Sequence, residues 1–394
     1  MEAKMMENKF DIAVIGAGAE GSATAYFAAK SGAKVILIDA GDLAEGTSSR
    51  CDGDILVSDK MPGFDCEFAL ASQALFPQLA KELDFDFEWR KEGTMYLMET
   101  EEETEVAEQY CRNMVACGVP MKMLTAKEVH EDEPNVADDV VSGLRCECDG
   151  GVYPIGMVYG YALTARRLGA TLLLHSPVTG IEPEGGGFLI RTVKQEVRAA
   201  KVVNCCGVKA PKVGMMVGLD IPVEARQGQI LVTEHTFPVV KHEFHEFGYM
   251  LTKFGNSSYK RNVSERVERN GVAMVIEPTM AGNFLIGSSR SFVGEDISSD
   301  IDVMQALAER AIRFFPVLKD IKIIHAYSGV RPFTPDHLPI ISDTPVDGYY
   351  IAAGHEGDGI GLSAITGKCM AEMLVSGKSE MDISPLSYSR FIKN

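Results

Sequence analysis

The sequence is short of cations: 38 Lys and Arg stand against 56 Asp and Glu, a formal net charge of -18. A chain this acidic repels phosphate backbones and anionic membrane surfaces, so neither nucleic acid nor a membrane is expected as a partner. Long apolar runs are missing too, and nothing approaches the roughly 20 residues of a membrane-spanning helix. The opening Met-Glu-Ala-Lys-Met-Met-Glu-Asn-Lys reaches the first apolar segment without a stretch of signal-peptide length, and the expected location is cytoplasmic. Nine cysteines are present, an odd number without framework spacing, which fits reduced thiols. None forms a C-x-x-C pair, so neither a zinc site nor a local iron-sulfur cluster is indicated. Cys146 with Cys148, and Cys205 with Cys206, read as small buried residues in strands. Neither a Ser-His-Asp pattern nor a pair of catalytic carboxylates stands out.

What is present begins at Phe10. With 394 residues, 46% hydrophobic residues and 38 glycines, the chain has the length for two domains and the composition of a compact α/β protein. Ile12 to Ile15 is a short apolar run expected as a buried parallel strand. Ala19 to Ser31 has helical composition, and Val35 to Ile38 is a second apolar run. The connection between the first two reads Gly16-Ala-Gly18-Ala19-Glu20-Gly21. Gly16 permits a tight turn, Gly18 lets backbone approach a pyrophosphate, and Gly21 with Ala25 lets the helix lie close to the sheet. The helix N-terminus then points free N-H groups at the phosphates. Asp39, followed by Ala40, ends the second strand eighteen residues after Gly21, where a carboxylate accepts hydrogen bonds from ribose hydroxyls. An acid there disfavours a 2′-phosphate, and with it NADP. This is a dinucleotide-binding unit, with nicotinamide and flavin both open.

Further along, Gly46-Thr47-Ser48-Ser49-Arg50 reads as a loop able to offer hydroxyls, N-H groups and a cation to phosphate. Asp65 to Leu83, Glu101 to Cys117 and Met157 to Leu168 have helical spacing, and Trp89 to Met98 looks like a strand. Thr125 and Glu128 have the form of a capping box. Strands at 171–174, 180–181, 188–192 and 202–205 are expected as a β-rich insertion beside the parallel sheet. Cys206 and Gly207 lie at the carboxyl end of the last, where ligands bind in doubly wound sheets. From Pro222 to Gly294 the pattern is strands, including Gly248 to Lys253, expected as an antiparallel sheet. Gly329-Val-Arg331-Pro332 then precedes Gly354-His355-Glu-Gly357-Asp358-Gly359-Ile360, a strand-to-helix turn that repeats the logic of the opening.

These segments together resemble the flavin-dependent oxidoreductases of the D-amino-acid oxidase family, which includes glycine oxidase, sarcosine oxidase and amino-acid dehydrogenase subunits. The resemblance covers nearly the whole chain. It rests on the G-x-G-x-x-G opening, the Gly46-Thr-Ser-Ser-Arg loop, Val202-Val-Asn-Cys-Cys-Gly207, Gly329-Val-Arg-Pro332 and Gly354-His-Glu-Gly-Asp-Gly359. It implies an α/β architecture: a Rossmann-like FAD-binding domain (1–80, 145–212 and 328–394) interleaved with a substrate domain on an antiparallel sheet (81–144 and 213–327). It also implies FAD rather than NAD, with Ser48 and Ser49 near phosphate or flavin, Val178 at the adenine, and Gly354 to Leu362 around the flavin ring and ribityl chain.

The resemblance places Arg331 on a substrate carboxylate, a task suited to a planar two-pronged guanidinium. The structural alternative is an arginine paired with one of the chain's many acids. Tyr249 and Tyr259 are candidate roof residues, although such a tyrosine is more often a core or interface residue than one that touches a ligand. Lys253 is read as a solvated strand lysine, His355 as a hydrogen-bonding residue near the cofactor, and His242 and His245 as surface residues. The implied reaction is oxidation of the Cα-N bond of a small amino or imino acid to an imine. It is performed by a dehydrogenase subunit that passes electrons to partners, or by an autonomous oxidase that makes hydrogen peroxide. A non-catalytic FAD subunit and an NAD enzyme are the competing classes. Gly329 stands where monomeric sarcosine oxidases carry their flavin-linked cysteine, so the FAD is expected to be non-covalent. Acid precipitation should therefore release all the flavin to the supernatant, and a flavin-bearing peptide in the pellet would contradict this.

Overall fold

The computed structural model describes residues 9–253 and 259–392. Lys9–Ile15 is the strand from which the first sheet grows. Its residues alternate between two cores: Ile12 and Val14 pack among helices on one face, and Ala13 and Ile15 join a separate cluster on the other. A strand buried on both faces needs parallel neighbours. It pairs in parallel with Val35–Ile38 and with Glu196–Asn204, and the parallel order continues outward to Thr171–Leu173 and Tyr349–Ala353. Helices Ala19–Lys30, Pro154–Arg167 and Gly359–Ser376 share one core through Tyr26, Tyr161 and Met370.

The strands between 171 and 204 are not a separate insertion, which corrects the expectation. Thr171–Leu173 and Glu196–Asn204 are members of the parallel sheet, and Val178–Glu184 with Gly187–Thr192 form a hairpin attached to the latter. Val202 and Val203 are both fully buried, the signature of a central strand with no solvent face.

The second sheet runs in the order Ile323–Phe333, Glu224–Thr233, Phe284–Gly287, Val275–Pro278, Glu243–Glu246, Thr94–Met98, Ser142–Cys146, Met121–Thr125. All its pairings are antiparallel except that between Glu243–Glu246 and Thr94–Met98. One face packs on helix Ile301–Phe314 through Phe244, Ile276, Leu307 and Phe314. The expected boundaries at 145 and 328 fall inside strands of this sheet, so Gly329 and Arg331 sit on its outermost strand rather than after it.

Three local expectations change. Gly248 to Lys253 is helical, within Phe247–Lys253, because Phe247, Met250 and Leu251 are the buried positions, a helical rather than an alternating spacing. The side chain of Lys253 lies outside the described residues. The stretch from 65 to 83 is two helices, Phe64–Gln73 and Phe76–Glu82, the second opening with a proline in its first turn. His242 and His245 are not surface residues, with side chains only 13% and 14% exposed. The Thr125–Glu128 capping box forms as expected.

Next to that capped helix, Glu133 is 1% exposed and accepts the Lys241 backbone N-H at 2.9 Å. Burial pushes its carboxyl up to about 7. Between about pH 4.5 and 7 the folded state keeps a proton that the unfolded chain has released. Stability from this group is therefore full below that window and lost as pH rises through it, by up to about 3 kcal/mol. Glu133→Gln should remove this component. Chemical denaturation at pH 5 and pH 7.5 should show a smaller stability difference for the variant than for the parent.

Candidate active site

The cofactor cradle is built where the first strand stops. Gly16 takes φ +104°, and a Cβ there would lie 2.4 Å from the Cys205 carbonyl oxygen, so only glycine makes this turn. Gly18 then caps helix Ala19–Lys30 without a side-chain cap, while the Ala19 N-H donates to Ser48 Oγ at 3.1 Å. Asp39 is held by backbone: its two oxygens accept the Ala17 N-H at 2.6 Å and the Gly41 N-H at 2.8 Å. A cavity of about 570 Å³ runs from these groups to Arg331. It is lined by Gly16, Gly18, Ala19, Glu20, Asp39, Ala40, Thr47, Ser48, Arg50 and Val178, and by Cys206, Gly207, Gly329, His355, Gly357, Gly359 and Ile360.

Four expected cofactor residues stand back from this cavity. Gly21 sits a turn inside the helix against the Gly16 carbonyl. Ser49 turns to the carbonyls of Glu45 and Gly46, and Gly354 packs against Thr334. Asp358 pairs with Lys60 at 2.9 Å and lines a second cavity instead. Helix Gly359–Ser376 also begins without a side-chain cap, so two helix N-termini present free donors to the first cavity. His355 is 2% exposed, and burial lowers its pKa, which keeps the ring neutral. Its Nε2 meets Thr366 Oγ1 at 3.0 Å, while Nδ1 is buried with no hydrogen-bond partner among the described residues. Uncapped donors, the Asp39 carboxylate and an unpaired polar nitrogen in one elongated cavity fit a dinucleotide.

The second cavity, of about 650 Å³, shares Asp52, Arg331, Glu356 and Gly357 with the first. The Arg331 guanidinium donates from Nη1 to the Ser289 carbonyl at 3.0 Å. It has no carboxylate within salt-bridge distance among the described residues, so the structural ion-pair alternative does not describe it. Arg226 stands directly across the strand pair from it and is neutralised by Glu356 at 2.6 Å. Tyr249 lines this cavity with its ring 3.7 Å below the Arg290 guanidinium. Tyr259 lines neither cavity; it bonds Glu103 and packs on the main core. Asp54, Glu243 and His245 group together, and burial holds both carboxyls well above their usual range; Glu243 raises Asp54 further, while the hydrogen bond with Asp54 partly offsets the rise at Glu243.

Arg226, Arg290, Asp54, Glu243 and His245 were missed as site residues. The period of two in His-Glu-Phe-His-Glu was the available signal for Glu243 and His245: Phe244 goes to the core, and the residues flanking it share the opposite face. Arg226 is identified only by its register opposite Arg331.

An elongated cavity of dinucleotide dimensions thus opens past Arg331 onto a second, charge-lined cavity. The chain belongs to the DAO family of FAD-dependent oxidoreductases, whose match spans residues 11–373. It is 27% identical over 402 residues to the glycine oxidase of Geobacillus kaustophilus (strain HTA426), covering 98% of each chain. It is 26% identical over 397 residues to an opine oxidase subunit of Agrobacterium tumefaciens (strain Ach5), covering 97% of each. The crystal structure of glycine oxidase from Geobacillus kaustophilus matches with a TM-score of 0.87 at 25% identity, over 98% of this chain and 100% of that one. The protein is thus an FAD-dependent oxidoreductase, and the NAD alternative is set aside. No helix among the described residues is long and apolar enough to cross a membrane.

Gly16→Ala introduces both a strained φ and a backbone clash at the pyrophosphate turn. The variant should purify nearly colourless, its flavin-to-protein absorbance ratio reduced by about tenfold or more.

Proposed function

We propose that the protein oxidises the Cα-N bond of a small amino or imino acid held in the second cavity. The observation that carries this reading is the placement of Arg331, a guanidinium free of carboxylate partners among the described residues and common to both cavities. FAD, when bound, would supply a two-electron acceptor for the hydride leaving Cα. Arg331 fixes the substrate carboxylate through two parallel charge-assisted hydrogen bonds, which sets the Cα-H bond toward the junction. Tyr249 covers the cavity on the Arg290 side. An amine that enters neutral needs no strong base, and the nearby buried carboxyls of Asp54 and Glu243 are held toward their protonated forms. Water then hydrolyses the imine.

In this reading 1–80, 145–212 and 328–394 hold the cofactor, while 81–144 and 213–327 hold the substrate, with the Arg331 strand reaching across. FAD is bound without a covalent link, through Gly16, Gly18 and Asp39 at its adenosine half and the Gly354–Ile360 turn at its flavin half. Electrons leave to a partner protein, a reading supported by the subunit status of the opine oxidase relative. The end-to-end match to a glycine oxidase favours a second form, an oxidase that reduces oxygen to peroxide.

An anaerobic bleaching screen of the flavin with glycine, sarcosine, proline, hydroxyproline, opines and D-amino acids tests the reaction. Repeating it in air with peroxide detection separates the two forms. Arg331→Ala should raise KM for the bleaching substrate by about thirtyfold or more with FAD still bound. Failure of every amine to bleach the flavin would leave a non-catalytic FAD subunit.

A further inference from the structure

Three guanidinium groups line the second cavity, and only one is neutralised. Arg226 has Glu356 at 2.6 Å. Arg331 has a backbone carbonyl. Arg290 lies flat on the Tyr249 ring, and its Nη1 is buried with no hydrogen-bond partner among the described residues. Neither Arg290 nor Arg331 has a carboxylate within salt-bridge distance among the described residues. Burial lowers the pKa of both; Arg331 and Arg226 lower Arg290 further, and Arg226 lowers Arg331, against which Asp52, beyond salt-bridge distance, acts in the opposite sense. Arg226 and Arg331 also stand directly opposite in the strand ladder, an arrangement that like charges disfavour. In a chain of net charge -18, acids to quench these cations are plentiful, yet none among the described residues is placed on Arg290 or Arg331. Half-buried cations without a carboxylate partner are costly unless a ligand completes them. One carboxylate fills one guanidinium fork, so two open forks call for two.

We infer that the cavity takes an amine bearing two carboxylates, one on Arg331 and the second on Arg290 beside Tyr249. This rests on the second cavity being the substrate site, as proposed above. Asp54 and His245 line the same space and Glu243 adjoins them, and they offer hydrogen-bonding groups to the amine nitrogen. Two sources share this chemistry: a secondary amine with a carboxylate on each arm, and an acidic amino acid.

The FAD-loaded protein should be titrated with unreactive dicarboxylates, diglycolate and glutarate, and with their monocarboxylate counterparts, methoxyacetate and butyrate, following the flavin absorbance. The dicarboxylates should bind at least about tenfold more tightly. Arg290→Met should bring that ratio close to one, Arg290→Lys should leave it in between, and Arg331→Met should weaken both classes. FAD content reports folding of each variant. Anaerobic bleaching by iminodiacetate, set against bleaching by aspartate and glutamate, then assigns the source. Equal binding of mono- and dicarboxylates, or an unchanged ratio in Arg290→Met, would overturn the inference. A retained dicarboxylate preference with no bleaching by any amine would uphold the subsite and sink the proposed reaction instead.

Discussion

The antiparallel ladder between Glu224–Thr233 and Ile323–Phe333 holds the two halves of the site in register. It sets Arg226 against Arg331 and Gly228 against Gly329. The first sheet reaches this ladder through the loop after its second strand, where Thr47 donates to the Val330 carbonyl at 2.6 Å and Tyr327 donates to the Cys51 carbonyl at 3.0 Å, and through the turn where the Glu356 N-H donates to the Pro332 carbonyl at 3.0 Å. Gly329 lies so close to Arg50 that a Cβ would come within 2.3 Å of its carbonyl oxygen. A strand of the second sheet is thereby locked to the loop that follows Asp39. The junction between the cavities is a consequence of that lock.

Charge is distributed unevenly around this frame. At the back of the second cavity, Glu246 is 2% exposed and is matched by Arg261 and by Arg310, the latter at 2.8 Å and also bonded to Glu99 at 2.7 Å. Such buried pairs are strongly disfavoured when one partner is lost, so this network stays closed. Facing the cavity the same sheet behaves differently. There Arg290 and Arg331 lack carboxylate partners among the described residues, and the carboxyls of Asp54 and Glu243 are driven toward the neutral form by burial.

The strand-turn-helix unit at the start of the chain was legible because its signals are local. A tight turn, a helix N-terminus and an acid at the end of the next strand occupy one short stretch, and each constrains the residue type on its own. The turn at Gly354 to Ile360 repeated that logic and was legible for the same reason. Tyr259 misled because an aromatic residue carries no mark of whether it faces a cavity or a core. The Gly248 to Lys253 helix was missed because a short apolar run fits either periodicity until its packing partners are known.

By itself, then, the sequence determined the dinucleotide unit, whose signals lie within one short stretch, and the flavin family, which rests on the order of five motifs along the chain, and it singled out Arg331 as a candidate. Only the tertiary structure decided what stands around Arg331. Arg226 lies 105 residues earlier, Arg290 comes from a loop beyond another strand, and Asp54 and His245 meet across two sheets. Strand register and sheet order bring those residues together, and neither is written in local composition.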